Sequence, residues 1–128
     1  MDKQWHVYKI EVDGVLIYIG SSDNVEGRRW AHSARRMVPR FAGKVSVMES
    51  FATRSEALKA ENAAIRTLRP VGNFRCNVLG YKTVKDRDRA MYAKLNELEA
   101  ARWRRLKDDI EATVDIEAEL RRLGVATS

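Results

Sequence analysis

Trp5-His6-Val7-Tyr8-Lys9-Ile10-Glu11-Val12-Asp13-Gly14-Val15-Leu16-Ile17-Tyr18-Ile19 is the stretch on which the fold turns. Val, Ile and Tyr crowd both halves, and Asp13-Gly14 between them is turn chemistry, so 5–12 and 15–19 read as two antiparallel strands. Two registers are open. A two-residue turn pairs Val12 with Val15 and sends Tyr8 and Tyr18 to opposite faces, gathering Ile10, Val12, Val15, Ile17 and Ile19. A three-residue loop with Gly14 left-handed places Tyr8 opposite Tyr18, on a polar face with His6, and leaves Val7, Val15, Ile17 and Ile19 on the other. One residue of slip decides whether the two phenols share a site.

Further along, Asp23 and Glu26 have the spacing of a capping box, opening a helix expected to reach about Met37. Pro39 and Gly43 mark a loop, and Lys44–Phe51 reads as a third strand with Val45, Val47 and Phe51 on one side. Thr53 and Glu56 form a clearer capping box, for a helix ending near Leu68, before Arg69-Pro70. After an irregular stretch, a second helical region runs from about Thr83 to Leu123, with an interruption expected at Thr113-Val114-Asp115. Strands followed by helices make the chain α+β.

The 128 residues carry a net charge of +6, and the stretch 27–48 alone holds Arg28, Arg29, Arg35, Arg36, Arg40 and Lys44 with no acid. A local basic field of that kind is the footprint of a nucleic-acid partner, or else a solvated helix face. Residues 1–81 hold the larger share of the excess, and 82–128 are nearly neutral. The division expected is therefore a functional domain over 1–81 and a helical extension over 82–128 that packs or dimerises, the dimer forming through 84–123. No segment is apolar enough to span a bilayer, and no membrane partner is expected. The lone Cys76 excludes a disulfide framework and points to a cytoplasmic location. One Cys and two His cannot complete a four-ligand zinc site, so a metal here would be a hard, oxygen-bound ion.

Several residues are placed for chemistry. Arg28 and His32 stand four apart on the first helix, on one face, and an Arg fork suits phosphate oxygens. Glu61 interrupts the apolar stripe Leu58, Ile65, Leu68 of the next helix. A carboxylate there must be paired, protonated or metal-bound, because burying it alone costs several kcal/mol, roughly. Its plainest partner would be Arg66 or Arg54. Tyr8 and Tyr18 taken singly are packing residues, and a phenol acts as a base near neutrality only where positive charge lowers its pKa. Asn73 falls in the loop after Pro70.

In order and spacing these residues resemble the GIY-YIG nuclease family. Val7-Tyr8 stands at its first motif and Tyr18-Ile19-Gly20 forms its second. Arg28, His32, Glu61 and Asn73 follow as in the compact members, which include the nuclease module of the bacterial excision-repair incision protein. His6 departs from the pattern, standing where the family has Gly. The resemblance covers about residues 5–77 and implies a three-stranded antiparallel sheet flanked by helices. It also implies a DNA endonuclease dependent on Mg²⁺ or Mn²⁺. Glu61 would hold the metal, Arg28 a phosphate oxygen, and one of Tyr8 and Tyr18 would serve as general base. His32 would assist proton transfer, and Asn73 would hold the loop or a phosphate. Single- or double-stranded DNA would lie along Arg29, Arg35, Arg36, Arg40 and Lys44. The other classes open to such a chain are a silent nucleic-acid-binding module and an assembly subunit. The same-face register, through the three-residue loop, is what this reading requires.

Overall fold

A computed structural model describes residues 3–28 and 43–124. Strands β1 (Trp5–Val12), β2 (Val15–Ser22) and β3 (Lys44–Phe51) form one antiparallel sheet in the order β2-β1-β3. Helix α1 spans Arg54–Leu68 and helix α2 spans Val84–Arg122. The chain divides into two compact units, Met1–Leu95 and Asn96–Ser128. Among the described residues, no helix is long and apolar enough to cross a membrane.

The hairpin corrects both expected registers. Asp13 (φ 51°) and Gly14 (φ 78°) form a two-residue turn and Val12 pairs with Val15, so the three-residue loop is absent. A β-bulge then shifts the ladder. Glu11 pairs with Leu16 but Ile10 pairs with Tyr18, leaving Ile17 as the extra residue, and Tyr8 lies opposite Gly20. The parity change brings Tyr8 and Tyr18 to one face, as diagonal neighbours with ring centroids 6.2 Å apart. The slip costs little because both faces of the hairpin are apolar. Val7 and Ile19 bury against Ala57 and Ile65 of α1, while Ile10 and Val12, on the opposite face of β1, are equally buried. Hydrophobic segregation to one face, the basis of the two-residue register, does not apply to a sheet buried on both.

A second bulge lies in β3. Val7 pairs with Glu49 and Tyr8 with Val47, so Met48 is extra. Val45 and Val47 therefore share Tyr8's face, whereas Phe51, paired with Trp5, joins the core under α1. The single apolar side expected for this strand is thus divided by the bulge.

Helix α1 begins and ends as its sequence implies. The Thr53 hydroxyl accepts from the Glu56 amide at 3.2 Å, and left-handed Arg69 donates its amide to the Ile65 carbonyl at 2.9 Å. The helical turn at 25–28 is capped by a different residue from the one expected. Asn24 Oδ1 accepts from the Gly27 amide at 3.0 Å, while Asp23 is ion-paired with Lys3. The expected continuation of that helix to Met37 lies outside the described residues. Helix α2 runs without interruption through 113–115. The Thr113 hydroxyl donates back to the Asp109 carbonyl at 2.9 Å, which accommodates it inside the helix. Thr83 and Asp86 cap its start reciprocally, each side chain accepting from the other's amide at 3.2 Å.

Candidate active site

The end of β2, the start of α1's buried face and the loop after Pro70 enclose a cleft of about 560 Å³. Tyr8, Tyr18, Arg28, Glu61 and Asn73 all line it, so five of the six residues singled out from sequence converge. His32 lies outside the described residues, as do Arg29, Arg35, Arg36 and Arg40. Lys44 opens β3 as an exposed residue and is not part of the cleft wall.

Glu61 is held in place by both sheet and loop. It is only 5% exposed, and the Ser21 hydroxyl donates to its Oε2 at 2.6 Å. Its ion-pair partner is Arg75, with Nη1 3.9 Å from Oε2, in place of the Arg66 or Arg54 that helical proximity pointed to. Arg75 is half exposed at the cleft wall, which leaves the pair open to competition from ions. Neither Ser21 nor Arg75 was singled out from sequence. Ser21 follows Gly20 directly and Arg75 lies two residues after Asn73, so proximity to the motifs was the available signal. Among the described residues, no group of three or more His, Cys, Asp or Glu gathers into a metal cage. One fixed carboxylate facing a polar cleft suits a small hard cation that keeps most of its waters.

The two phenols differ. Tyr8 is 2% exposed, and Tyr18 is only half-buried. Burial pushes the Tyr8 hydroxyl well above the usual phenol range, and neighbouring Tyr18 pushes it the same way, including through a hydrogen bond between them. Burial also raises Tyr18, with the Glu61 charge adding to it, while Arg28, Arg87 and Arg75 pull it down. Gly20 makes the close pairing of the rings possible. A Cβ there would lie 2.5 Å from Tyr8 Oη and 2.9 Å from Tyr18 Cε1, so no larger residue fits without moving them.

Asn73 completes the sheet edge. Its Oδ1 accepts from the Ile19 amide at 2.8 Å and its Nδ2 donates to the Ile19 carbonyl at 2.7 Å. The Gly72 amide donates to the Ile17 carbonyl at 2.7 Å. Side chain and backbone thus take the place of a neighbouring strand along β2. Of the two roles expected for Asn73, both amide atoms serve the first, holding the loop. Asn77 repeats the device on Tyr81, accepting from its amide at 2.8 Å and donating to its carbonyl at 2.6 Å.

Against this geometry, the model of the GIY-YIG catalytic domain matches residues 4–77, more than half of the chain. The chain belongs to the GIY-YIG family. Its fold is of the nuclease type, and GIY-YIG members are generally endonucleases that act on DNA. No curated protein and no solved structure matches the chain. Within this GIY-YIG domain, the first-motif glycine is replaced by His6, whose Nδ1 lies 2.6 Å from Ser50 Oγ of β3. The imidazole joins two strands there and does not line the cleft.

Proposed function

We propose that this GIY-YIG protein is an endonuclease that hydrolyses DNA phosphodiesters using Mg²⁺ or Mn²⁺ held by Glu61. The observation that carries the reading is the buried Glu61 carboxylate, oriented by Ser21, in a cleft that also holds Arg28 and both phenols. When bound, a divalent ion supplies charge stabilisation at the scissile phosphate and at the leaving oxygen.

The protein's own groups do the rest. Ser21 fixes the Glu61 carboxylate so that one oxygen keeps its direction. Arg28 takes a non-bridging phosphate oxygen, and Arg75, released from Glu61, adds a second positive charge beside it. Tyr18, ionised under the pull of Arg28, Arg87 and Arg75, takes the proton of the attacking water. Tyr8 orients it from the diagonal position. His32 assists in proton transfer, and Asn73 keeps Ile19, next to Tyr18, in register. Burial opposes ionisation of both phenols, so Tyr18 functions as a base only with substrate and cation in the cleft. The same upward shift lends support to a second reading, a DNA-binding module without catalysis.

A plasmid-nicking assay separates the two. Nicking that requires Mg²⁺ and disappears in Glu61→Gln and Arg28→Ala supports the endonuclease. Salt-sensitive binding without cleavage supports the module. Nicking undiminished in both variants rejects the proposed mechanism.

A further inference from the structure

The second compact unit, Asn96–Ser128, exposes large apolar side chains along its helix. Trp103 is 62% exposed, Leu106 45%, Ile110 55% and Val114 56%. At 3.6 residues per turn these four fall in one stripe about 80° wide. The charges flanking the stripe are segregated along the helix. Residues 101–107 carry Arg102, Arg104, Arg105 and Lys107 and no acid. Residues 108–119 carry Asp108, Asp109, Glu111, Asp115, Glu117 and Glu119 and no base. The stripe straddles the junction between these blocks.

We propose that this stripe is an antiparallel homodimer interface, crossing at Ile110 against a second copy of the chain. The charge order selects the occupant. A parallel second copy would oppose basic to basic and acidic to acidic along the whole contact. Reversal sets each basic block against an acidic one. A nucleic acid is a poorer fit, because the six acids beyond Lys107 would repel phosphates. In the antiparallel crossing, Leu106 meets Val114 of the second copy. On one flank Lys107 faces Glu111, and on the other Arg102 faces Glu117, which lies beside Ile110 and Val114. Lys107 and Glu111 already approach to 4.0 Å within one helix, which places them on a common flank. The interface is independent of the nuclease reading, and neither depends on the other's success.

Sedimentation equilibrium of the full chain tests it. Wild type should show a concentration-dependent monomer–dimer equilibrium. Reversing two bordering bases (Arg102→Glu with Lys107→Glu) should weaken the dimer by about tenfold or more, as four exposed ion pairs become repulsive. Adding Glu111→Lys and Glu117→Lys to the same chain should restore wild-type association. A parallel dimer would not be weakened by the first variant, because like charges would face each other before and after it. Ile110→Lys, which sets two ammonium groups at the crossing, should leave monomer. A monomeric wild type, an unaffected first variant or a failed restoration would each overturn the proposal.

Discussion

Helix α2 belongs to two environments, and its halves show opposite relations between sequence and burial. Up to Leu95, where the first unit ends, Met91 and Leu95 are at most 2% exposed and Arg87 Nη1 donates to the Gly72 carbonyl at 3.0 Å. Beyond it, Trp103 and Ile110 stand more than half exposed. The apolar spacing is helical in both halves. What separates them is long-range contact within the unit: the first half meets the loop that carries Asn73, and the second is a single helix. Amphipathic pattern alone records that a face is meant to be covered, without naming the cover.

The sharpest test of this contrast is at the site that the first unit builds. Glu61→Gln keeps the shape and the Ser21 contact but removes the charge, and it should lower Mg²⁺-dependent nicking by about a thousandfold, as expected for losing a principal electrostatic group. Thermal unfolding should change little. Next in size is Leu95→Ala, which should cost about 2–5 kcal/mol in urea unfolding, because it leaves a cavity at a fully buried position. Activity lost by that variant should return on stabilisation at low temperature, whereas activity lost by Glu61→Gln should not.

Asn73→Asp addresses the clamp on β2. The carboxylate still accepts from the Ile19 amide but turns a second oxygen toward the Ile19 carbonyl. The expected cost is about 1–3 kcal/mol, the range for a buried polar group left without its partner. It would be read as a lower urea midpoint together with faster hydrogen exchange at Ile19. A residue serving only as a phosphate contact would leave both unchanged.

These residues also show how far the sequence could be read. Order and spacing shared with the GIY-YIG family singled out Tyr8, Tyr18, Arg28, Glu61 and Asn73, of which only Glu61 is unusual in its own surroundings, and all five reach one cleft. The three strands and the caps of α1 were legible because their signals are local. The bulges at Ile17 and Met48 were not, since an unbroken apolar run such as Val15-Leu16-Ile17 has no preferred face when both faces are buried. Nor was Arg75 as the partner of Glu61: it lies fourteen positions away in sequence, and only the path of the loop joins them. The cap at Asn24 was not legible from the Asp23–Glu26 spacing, since Asn24 is as good a cap by residue type, and in the structure Asp23 is ion-paired with Lys3 instead.

A smaller effect follows from the buried phenol. Tyr8 keeps its proton more tightly folded than unfolded. Above about pH 10 the unfolded chain gives up that proton while the folded one retains it, so stability should fall with rising pH, by at most about 1.4 kcal/mol per pH unit for this group. Below pH 10 both states are protonated and the contribution is flat. Tyr8→Phe should reduce the alkaline slope in urea titrations between pH 9 and 11, leaving the part due to other phenols such as Tyr18.

The least effect is expected where the second half of α2 is changed, and it completes the contrast with Leu95. Ile110→Ala removes a side chain that is 55% exposed. In dilute protein its effect on unfolding should stay within about 0.5 kcal/mol, since little contact is lost and Ala is the better helix former. At high concentration the outcome changes if the stripe pairs with a second copy, because association stabilises by mass action and Ile110 lies at its crossing. Melting temperatures of wild type and variant should therefore coincide at low concentration and diverge as it rises. For Leu95→Ala the gap should be the same at every concentration, because the cavity lies inside one chain.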